Sequence, residues 1–351
     1  MSMLAELVEL IIGVDTHADT HTAALVATGS GALLATITVP ADADGYAQLL
    51  ELAETRSGLR AWAIEGAGGY GAGLTRHLAD TAELVVELDR PVRPARRAGA
   101  KSDVIDAERA ARDALARTKL AAPKTGPERA ALQALLTARR SAVDAATTAQ
   151  RQLRALVITV PEPVRARFRG HSTREMIDIA SRVRSGAATT DIETFTALST
   201  LRTLARRIRA LQTEADEHER AIRTIVRSWR PDLLELCGVG PIVAAIVLTA
   251  WSHTGRCRSD AAFAGAAPIP ASSGKTVRYR LNRSGNRQLN RALHTIVLSR
   301  LQYDPDTRAY AEKRRSKGKT DREIKRCLKR YIARQLYRQL ENPPTSAVCA
   351  A

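Results

Sequence analysis

Four acidic residues stand at positions from which carboxylates can hold divalent metal ions. Asp15 directly follows the apolar run 11–14, and Glu65 directly follows the apolar run 61–64. Asp103 and Asp106 are three residues apart in a segment that Ser102 can cap as a helix, which places both acids on one helical face. Two cations bridged by carboxylates can activate an attacking oxygen and neutralise the leaving oxygen of a phosphodiester. The pattern therefore predicts phosphoryl transfer, with Mg2+ as the natural ion for an all-oxygen ligand set.

Each of these acids also has a simpler interpretation. Asp15 could start a turn, Glu65 could pair with an arginine, and acids in a first helical turn such as Asp103 and Asp106 are favoured by the helix dipole. However, a carboxylate at the end of a buried strand costs free energy unless it is paired or bound to a cation. Taken together and in this order, the four acids favour a metal site.

Two histidines and a further acid flank the first of these acids. His17, His21 and Asp19 lie in or beside the polar turn that follows Asp15. Histidines in a polar turn are more often surface residues than ligands, so none of the three is assigned to the metal.

A second group of reactive residues lies in the C-terminal half. Ser272 and Ser273 precede Gly274 in a loop rich in Gly, Pro and Ser, and cations surround them: Lys275, Arg278, Arg280, Arg283 and Arg287. A serine in this setting could attack phosphorus while the cations stabilise the charged transition state. The same residues also suit a loop that binds phosphate only through hydrogen bonds, and composition alone leaves both interpretations open.

The charge of the chain is divided unevenly along its length. There are 54 Lys and Arg residues against 37 Asp and Glu, a net charge of +17, yet residues 1–89 carry −10 and the remainder +27. Strong positive charge favours nucleic acid, because phosphate neutralisation releases counterions. Only 4% of residues are aromatic, so stacking of bases on an aromatic platform is not expected.

The spacing of the cysteines and the lengths of the apolar runs indicate in which cellular compartment the protein is expected. Four scattered cysteines without a CxxC pair indicate neither a disulfide framework nor a zinc site, and favour a reducing, cytoplasmic location. No signal peptide or membrane span is visible in the sequence.

The first 120 residues alternate between strand and helix patterns. The predicted elements are three antiparallel strands, a helix, a strand, a helix and a strand, over 10–14, 22–28, 32–39, 47–52, 60–64, 74–78 and 83–86. This order is typical of an RNase H-like fold, in which Asp15 and Glu65 share one edge of the sheet. The segment 90–101 is basic and rich in Pro, which predicts a loop.

The sequence pattern of the rest of the chain predicts mostly helices. Apolar residues repeat at 3,4 spacing over 132–156 and 201–225, which predicts two long helices forming a coiled coil within the chain or between protomers. A helix, the turn Gly238-Val239-Gly240 and a second helix resemble a helix-hairpin-helix, and a further helix is expected over 286–301. The tail 307–340 holds thirteen basic residues against three acids.

Several of these motifs together resemble a known family. The runs IGVDTH (12–17), IEG (64–66), KSDVIDA (101–107), LCGVGP (236–241), FAGAAPIPASSGK (263–275) and NRQLNRALH (286–294) are similar to those of the DEDD transposases of the insertion-sequence 110 family. The resemblance covers nearly the whole chain. It implies an α/β plus all-α architecture: a RuvC-like (RNase H-like) domain over 1–120, a helical coiled-coil connector over 121–230, a mostly helical transposase domain with the serine loop over 231–340, and a flexible tail over 341–351.

The resemblance also implies roles for individual residues. Asp15, Glu65, Asp103 and Asp106 fall on the family's metal-binding tetrad, and Ser273, the serine directly before Gly274, falls on its nucleophile, which would form a covalent phosphoserine link to DNA. The family uses a structured noncoding RNA that pairs with donor and target DNA.

The basic residues are the expected contacts for these nucleic acids. They belong to the loop 90–101 and to the serine segment, and are Arg93, Arg96, Arg97, Lys101, Lys275, Arg278, Arg280, Arg283 and Arg287. Because strand exchange needs several active sites, a homodimer or homotetramer is expected. Two alternatives remain: a junction-resolving nuclease that uses metal-activated water, and a non-catalytic nucleic-acid-binding scaffold.

Overall fold

The structure is a computed structural model. It describes residues 3–88, 102–118, 120–184, 191–265, 269–270, 279–280 and 286–343, with the backbone alone at 269–270 and 279–280. The chain forms two compact units, Met1–Thr125 and Gly126–Ala351. No helix among the described residues is long and apolar enough to cross a membrane.

The first unit is built on a five-stranded sheet. Its elements are α1 (Leu4–Leu7), β1 (Leu10–Thr16), β2 (Thr20–Ala27), β3 (Leu33–Pro40), α2 (Ala43–Glu54), β4 (Arg60–Glu65), α3 (Ala72–Asp80), β5 (Val85–Leu88) and α4 (Asp103–Ala116). The strand order is β3-β2-β1-β4-β5, with β1 antiparallel to β2 and parallel to β4. The predicted sequence of strands and helices is therefore present in this unit.

Strand β1 is longer than the sequence pattern predicts. The pairing with β2 continues through Asp15, opposite Thr22, to Thr16, opposite His21. Asp15 therefore lies inside the strand and does not begin a turn. The backbone ladder holds these polar residues in the sheet, which the apolar run 11–14 alone does not reveal.

The two faces of the sheet carry different cores. Ile12, Val14, Trp62 and Ile64 face one side and pack in a cluster with residues of α2 and α3. Residues at odd positions, including Ile11, Ala61 and Ala63, face the other side and pack against alanines of α4. This division follows from the two-residue period of a strand.

Gly13 allows α4 to lie very close to β1. A Cβ atom at Gly13 would stand 2.0 Å from the carbonyl oxygen of Ala107 and 2.5 Å from the amide nitrogen of Ala111. Both of those atoms belong to the helix backbone, so a side chain at Gly13 cannot be accommodated by a rotamer change. The missing side chain thus sets the height of α4 above the sheet.

The substitution Gly13→Ala is therefore expected to destabilise the protein by about 2–3 kcal/mol or more, as overpacking of a core does. Gly29→Ala is the matched control, because a Cβ atom there meets no heavy atom within 4 Å. Urea unfolding followed by circular dichroism compares the two variants. Equal stability of both would show that α4 can move away from β1 without cost.

The second unit begins with two long helices that pair within the chain. Its first elements are α5 (Pro127–Thr159), α6 (Glu162–Arg165), a 3-10 helix (Ala166–Phe168), α7 (Thr173–Arg182) and α8 (Ile192–Trp229). Helices α5 and α8 are antiparallel, since Leu132 near the start of α5 clusters with Val226 near the end of α8, while Leu153 clusters with Leu201. Arg139 of α5 adds an ion pair of 2.9 Å to Glu219 of α8.

The remaining elements of this unit complete one large core. They are a 3-10 helix (Pro231–Glu235), α9 (Pro241–Trp251), α10 (Asp260–Ala264), β6 (Ile269–Pro270), β7 (Tyr279–Arg280), α11 (Arg287–Tyr303), α12 (Pro305–Arg315) and α13 (Asp321–Glu341). Helices α9, α11 and α13 contribute most of the buried residues, together with the ends of α5 and α8.

The predicted helix-hairpin-helix differs in its first half. The helix before the turn is only a five-residue 3-10 helix, and it starts at Pro231, which has no amide hydrogen with which to extend α8. Gly238 has a φ of 81°, and a Cβ atom there would lie 3.1 Å from Cβ of Ser299 and 3.2 Å from the carbonyl oxygen of Ile296. This glycine therefore has a packing role against α11.

Candidate functional site

Asp15 and Glu65 lie side by side at the carboxyl ends of two parallel strands. Val14 of β1 is opposite Ile64 of β4, so the next residue on each strand is an acid. Both acids occupy odd positions, and they therefore share the sheet face with Ile11 and Ala63, which α4 covers. Each acid is partly buried, and the threonine hydroxyl of Thr16 donates a hydrogen bond of 2.9 Å to the carbonyl oxygen of Glu65.

Helix α4 brings two more acids to the same face. Ser102 caps the helix, because its hydroxyl oxygen accepts a hydrogen bond of 3.3 Å from the amide of Ile105. The first turn then carries Asp103 and Asp106, as the sequence predicted. Asp106 also accepts a hydrogen bond of 3.0 Å from Arg109, within an ion pair one turn along the helix.

The side chains of Asp15, His17 and Asp103 come close enough together to share one ion. Nε2 of His17 lies 3.2 Å from Oδ2 of Asp15 and 3.6 Å from Oδ1 of Asp103. One ligand atom from each of these residues lies within 4.8 Å of the others, and among the described residues only this group of three or more possible ligands meets that spacing. Glu65 and Asp106 are not members of it.

The electrostatic setting of Asp15 disfavours a bare carboxylate. Burial raises the pKa of Asp15 above its ordinary value, contact with His17 opposes the rise, and the charges of Asp106 and Asp103 add to it. Asp106 therefore contributes to the electrostatic setting of Asp15, although it is outside the group of three. A cation at this position would stabilise the ionised form of Asp15, so the donor set fits a divalent metal.

His17 is the residue of this site that sequence reasoning did not assign. Its side chain is half exposed, as expected for a residue of a polar turn. The one feature of the sequence that could have indicated His17 as a site residue is its position two residues beyond Asp15. Its position against Asp103 could not be read from the sequence, because that contact depends on where α4 docks.

His21 belongs to the opposite face of the sheet. It is fully buried and stacks on Tyr46 with ring centroids 5.8 Å apart, and its Nδ1 donates a hydrogen bond of 3.0 Å to the carbonyl oxygen of Thr20. Burial lowers the pKa of His21. Since it pairs with Thr16 and shares the side of Val14 and Ala23, it is a packing residue and lies away from the carboxylates.

Most of the predicted serine and arginine contacts lie outside the described residues. This applies to Arg93, Arg96, Arg97, Lys101, Ser272, Ser273, Lys275, Arg278 and Arg283. Arg280 is described only as backbone in β7, where it pairs with Ile269 of β6. Arg287 is exposed at the start of α11.

Two family signatures match the chain. One, described as "Transposase", covers residues 12–160, and the other, described as "Transposase IS116/IS110/IS902 family", covers residues 231–312. The chain is also 31% identical over 150 residues to the "Insertion element IS110 uncharacterized 43.6 kDa protein" of Streptomyces coelicolor. That alignment covers 42% of this chain and 36% of the relative, so the chain matches little more than a third of the relative's length.

The sheet order, with acids at neighbouring positions near the carboxyl ends of the paired strands β1 and β4, is consistent with the RNase H-like class of domain, and a mostly helical unit follows it. The first signature spans all four acids, and the second spans the serine segment. The chain belongs to the IS110 family of DEDD transposases.

Proposed function

We propose that this chain is a DNA transposase that cuts and exchanges strands through a metal-bound acidic centre and a serine nucleophile. The observation that carries the proposal is the convergence of Asp15, Glu65 and the first turn of α4 on one face of the sheet. Membership of a transposase family supports DNA as the substrate.

The acidic centre would bind the ion and orient the reacting phosphate. Asp15, Glu65, Asp103 and Asp106 supply oxygen ligands of the kind Mg2+ prefers. When bound, the ion supplies positive charge that stabilises the oxygens of the phosphodiester undergoing reaction. Asp106 would exchange part of its pairing with Arg109 for the ion, and His17 lies where it can hold Asp15 and Asp103 in place.

Ser273 would carry the covalent step. Its hydroxyl oxygen attacks phosphorus and forms a phosphoserine ester with the 5′ end, and the serine proton passes to solvent. The bond between phosphorus and the 3′ oxygen breaks, and that oxygen takes up a proton from solvent and leaves as a hydroxyl. A 3′-hydroxyl of another strand then attacks the phosphoserine and restores the serine. The bond energy of the phosphodiester is conserved throughout, so no external energy source is needed.

The partners follow from the family and from the charge of the chain. Donor and target DNA, and a structured noncoding guide RNA that pairs with both, would be bound by the basic loop 90–101 and by the cations of the serine segment. Two DNA duplexes require several cleavages, so the active species would be a homodimer or a homotetramer.

One observation favours a second candidate. The four acids all belong to the first unit, so they could activate a water molecule without any contribution from Ser273. The chain would then act as a metal-dependent junction nuclease. Its products would be free 3′-hydroxyl and 5′-phosphate ends with no protein attached.

Purification of the protein together with its bound RNA tests the proposed function. RNA sequencing of the purified complex should return one structured transcript from the flanks of the gene. Addition of Mg2+ and of DNA matching that transcript should give recombinant DNA joints, and EDTA should abolish them. Bound RNA of random sequence, or hydrolysed ends without joints, would favour the nuclease.

A further inference from the structure

Two helices of the second unit carry matching polar stripes. On α11, Arg287, Asn290, Arg291 and His294 follow the i, i+3, i+4, i+7 spacing that places residues on one helical face. On α13, basic residues follow the same spacing: Arg322, Lys325, Arg326 and Lys329. Because α11 and α13 pack against each other through buried apolar residues, the two stripes border a common surface.

A direct contact shows that the stripes meet. Nζ of Lys329 donates a hydrogen bond of 2.9 Å to Oδ1 of Asn290. Burial lowers the pKa of His294, and the charges of Lys329 and Lys325 lower it further. The pKa of Lys329 is also lowered, by burial first and then by Arg326. The lysines of α13 therefore lie close enough to His294 of α11 to disfavour its protonated form.

These cations lack acidic partners, whereas three other cations of the same region have them. Nearby, Arg315 pairs with Glu312 and Asp321, Lys319 pairs with Glu323, and Arg334 pairs with Asp260. Within the described part of the chain, by contrast, the six Arg and Lys residues of the two stripes form no ion pair with an acid. A group of unpaired like charges raises the free energy of the folded protein, and an external polyanion removes that cost.

We propose that the surface between the two stripes, which we call the α11/α13 cleft, binds the phosphodiester backbone of a nucleic acid strand. The inference rests on the proposed function and deepens it, because it names a phosphate-binding surface outside the serine loop. The stripe from Arg287 to His294 is about 10 Å long, since a helix rises about 1.5 Å per residue. Measured along the axis of a duplex, that length corresponds to about three phosphates of one strand, at about 3.4 Å each.

The cleft also has groups suited to direct contact. Asn290 can donate its amide hydrogens to a phosphate oxygen while its carbonyl oxygen accepts from Lys329. Arg287 and Arg291 can each donate two hydrogen bonds to one phosphate. A phosphate that neutralises Lys325 and Lys329 would also favour the protonated form of His294, which could then donate a hydrogen bond to that phosphate. DNA and RNA share this backbone chemistry, so the test distinguishes the two.

The test removes three charges from the cleft and three from elsewhere. The cleft variant carries Arg291→Gln, Lys325→Gln and Lys329→Gln. The matched control carries Arg308→Gln, Lys313→Gln and Lys317→Gln, which lie in or just after α12 and are exposed. Both variants have the same net charge, and melting curves of each report whether the fold is kept. The double variant Arg291→Gln with Lys325→Gln leaves Lys329 and its contact to Asn290 in place, and it serves if the triple variant melts early.

Fluorescence anisotropy would measure binding of the full-length protein to a labelled 20-nucleotide DNA strand, an RNA strand of the same sequence, and the DNA duplex, over a range of salt. The cleft variant is expected to lose about tenfold or more in affinity, and its plot of log affinity against log salt should be shallower by about 2, since each phosphate contact contributes about 0.7–0.9. The control should change less than threefold. A larger loss for RNA assigns the cleft to the guide, and a larger loss for DNA assigns it to the substrate.

Equal losses in the cleft variant and the control would overturn the inference, because charge alone would then explain binding. The proposed function is judged by a different signal, the protein–DNA adduct of the unaltered protein. If the unaltered protein forms an adduct and the two variants lose equal affinity, the proposed transposase function stands and the proposal for the α11/α13 cleft is wrong. If only the cleft variant loses affinity and the unaltered protein forms no adduct, the proposal for the cleft stands and the serine mechanism is wrong.

Discussion

The Ser273→Ala protein is expected to form no covalent adduct with DNA and to lose strand exchange by at least about a thousandfold. Removal of a nucleophile eliminates the step that it performs, whereas binding is carried by other residues. Affinity for DNA should therefore remain within about threefold of the unaltered protein. The measurement is denaturing gel electrophoresis of labelled DNA after reaction with Mg2+, in which an adduct migrates with the protein.

Ser272→Ala is the matched control for this experiment. It removes the same hydroxyl from the neighbouring residue, and it should leave both the adduct and the recombinant joints. If the adduct disappears in Ser272→Ala and persists in Ser273→Ala, the nucleophile is the other serine. If both variants recombine at the normal rate, water or a DNA hydroxyl performs the attack.

Substitution of the partly buried Asp15 of the metal centre should have a comparable effect on cleavage. Asp15→Asn keeps the shape of the side chain but removes the charge, and a neutral amide is a poorer ligand for Mg2+ than a carboxylate. Loss of ion-assisted charge stabilisation costs several kcal/mol in the transition state, which corresponds to roughly a thousandfold in rate. The cleavage rate at fixed Mg2+, and the Mg2+ concentration needed for half of it, would be measured together.

The same variant also separates the chemical role from a structural one. Burial and the neighbouring acids raise the pKa of Asp15, so the ionised carboxylate is unfavourable there and a neutral amide should not lower the melting temperature. Asp19→Asn is the control, because Asp19 is an exposed acid of the following turn. It should retain full activity. Normal cleavage by Asp15→Asn, or equal losses in both variants, would remove the acidic centre from the mechanism.

Local features of this protein follow from neighbouring residues along the chain. The apolar runs 11–14 and 61–64 predicted β1 and β4, and they placed Asp15 and Glu65 at the corresponding ends of the two strands. Ser102 predicted the start of α4, because the cap is a hydrogen bond between residues three apart. The two long helices were likewise predicted from the 3,4 spacing of their apolar residues.

The ends of these elements and the elements with which they pair were harder to predict from the sequence. The apolar pattern placed Asp15 after its strand, whereas the ladder with β2 carries β1 to Thr16. The heptads left open whether the long helices pair within the chain or between protomers, and the clusters that join Leu132 with Val226 show pairing within the chain. Pairing depends on residues far apart in sequence, which no local pattern contains.

The sequence by itself therefore determined the acidic residues, the elements that carry them and the basic character of the second half, because composition, periodicity and capping act over a few residues. Only the tertiary structure decided that α4 lies against Gly13, that His17 thereby reaches Asp103, and that the stripes of α11 and α13 meet through Asn290 and Lys329. Each of these contacts is set by how close two packed elements can approach. That distance depends on the side chains that are missing or buried between them.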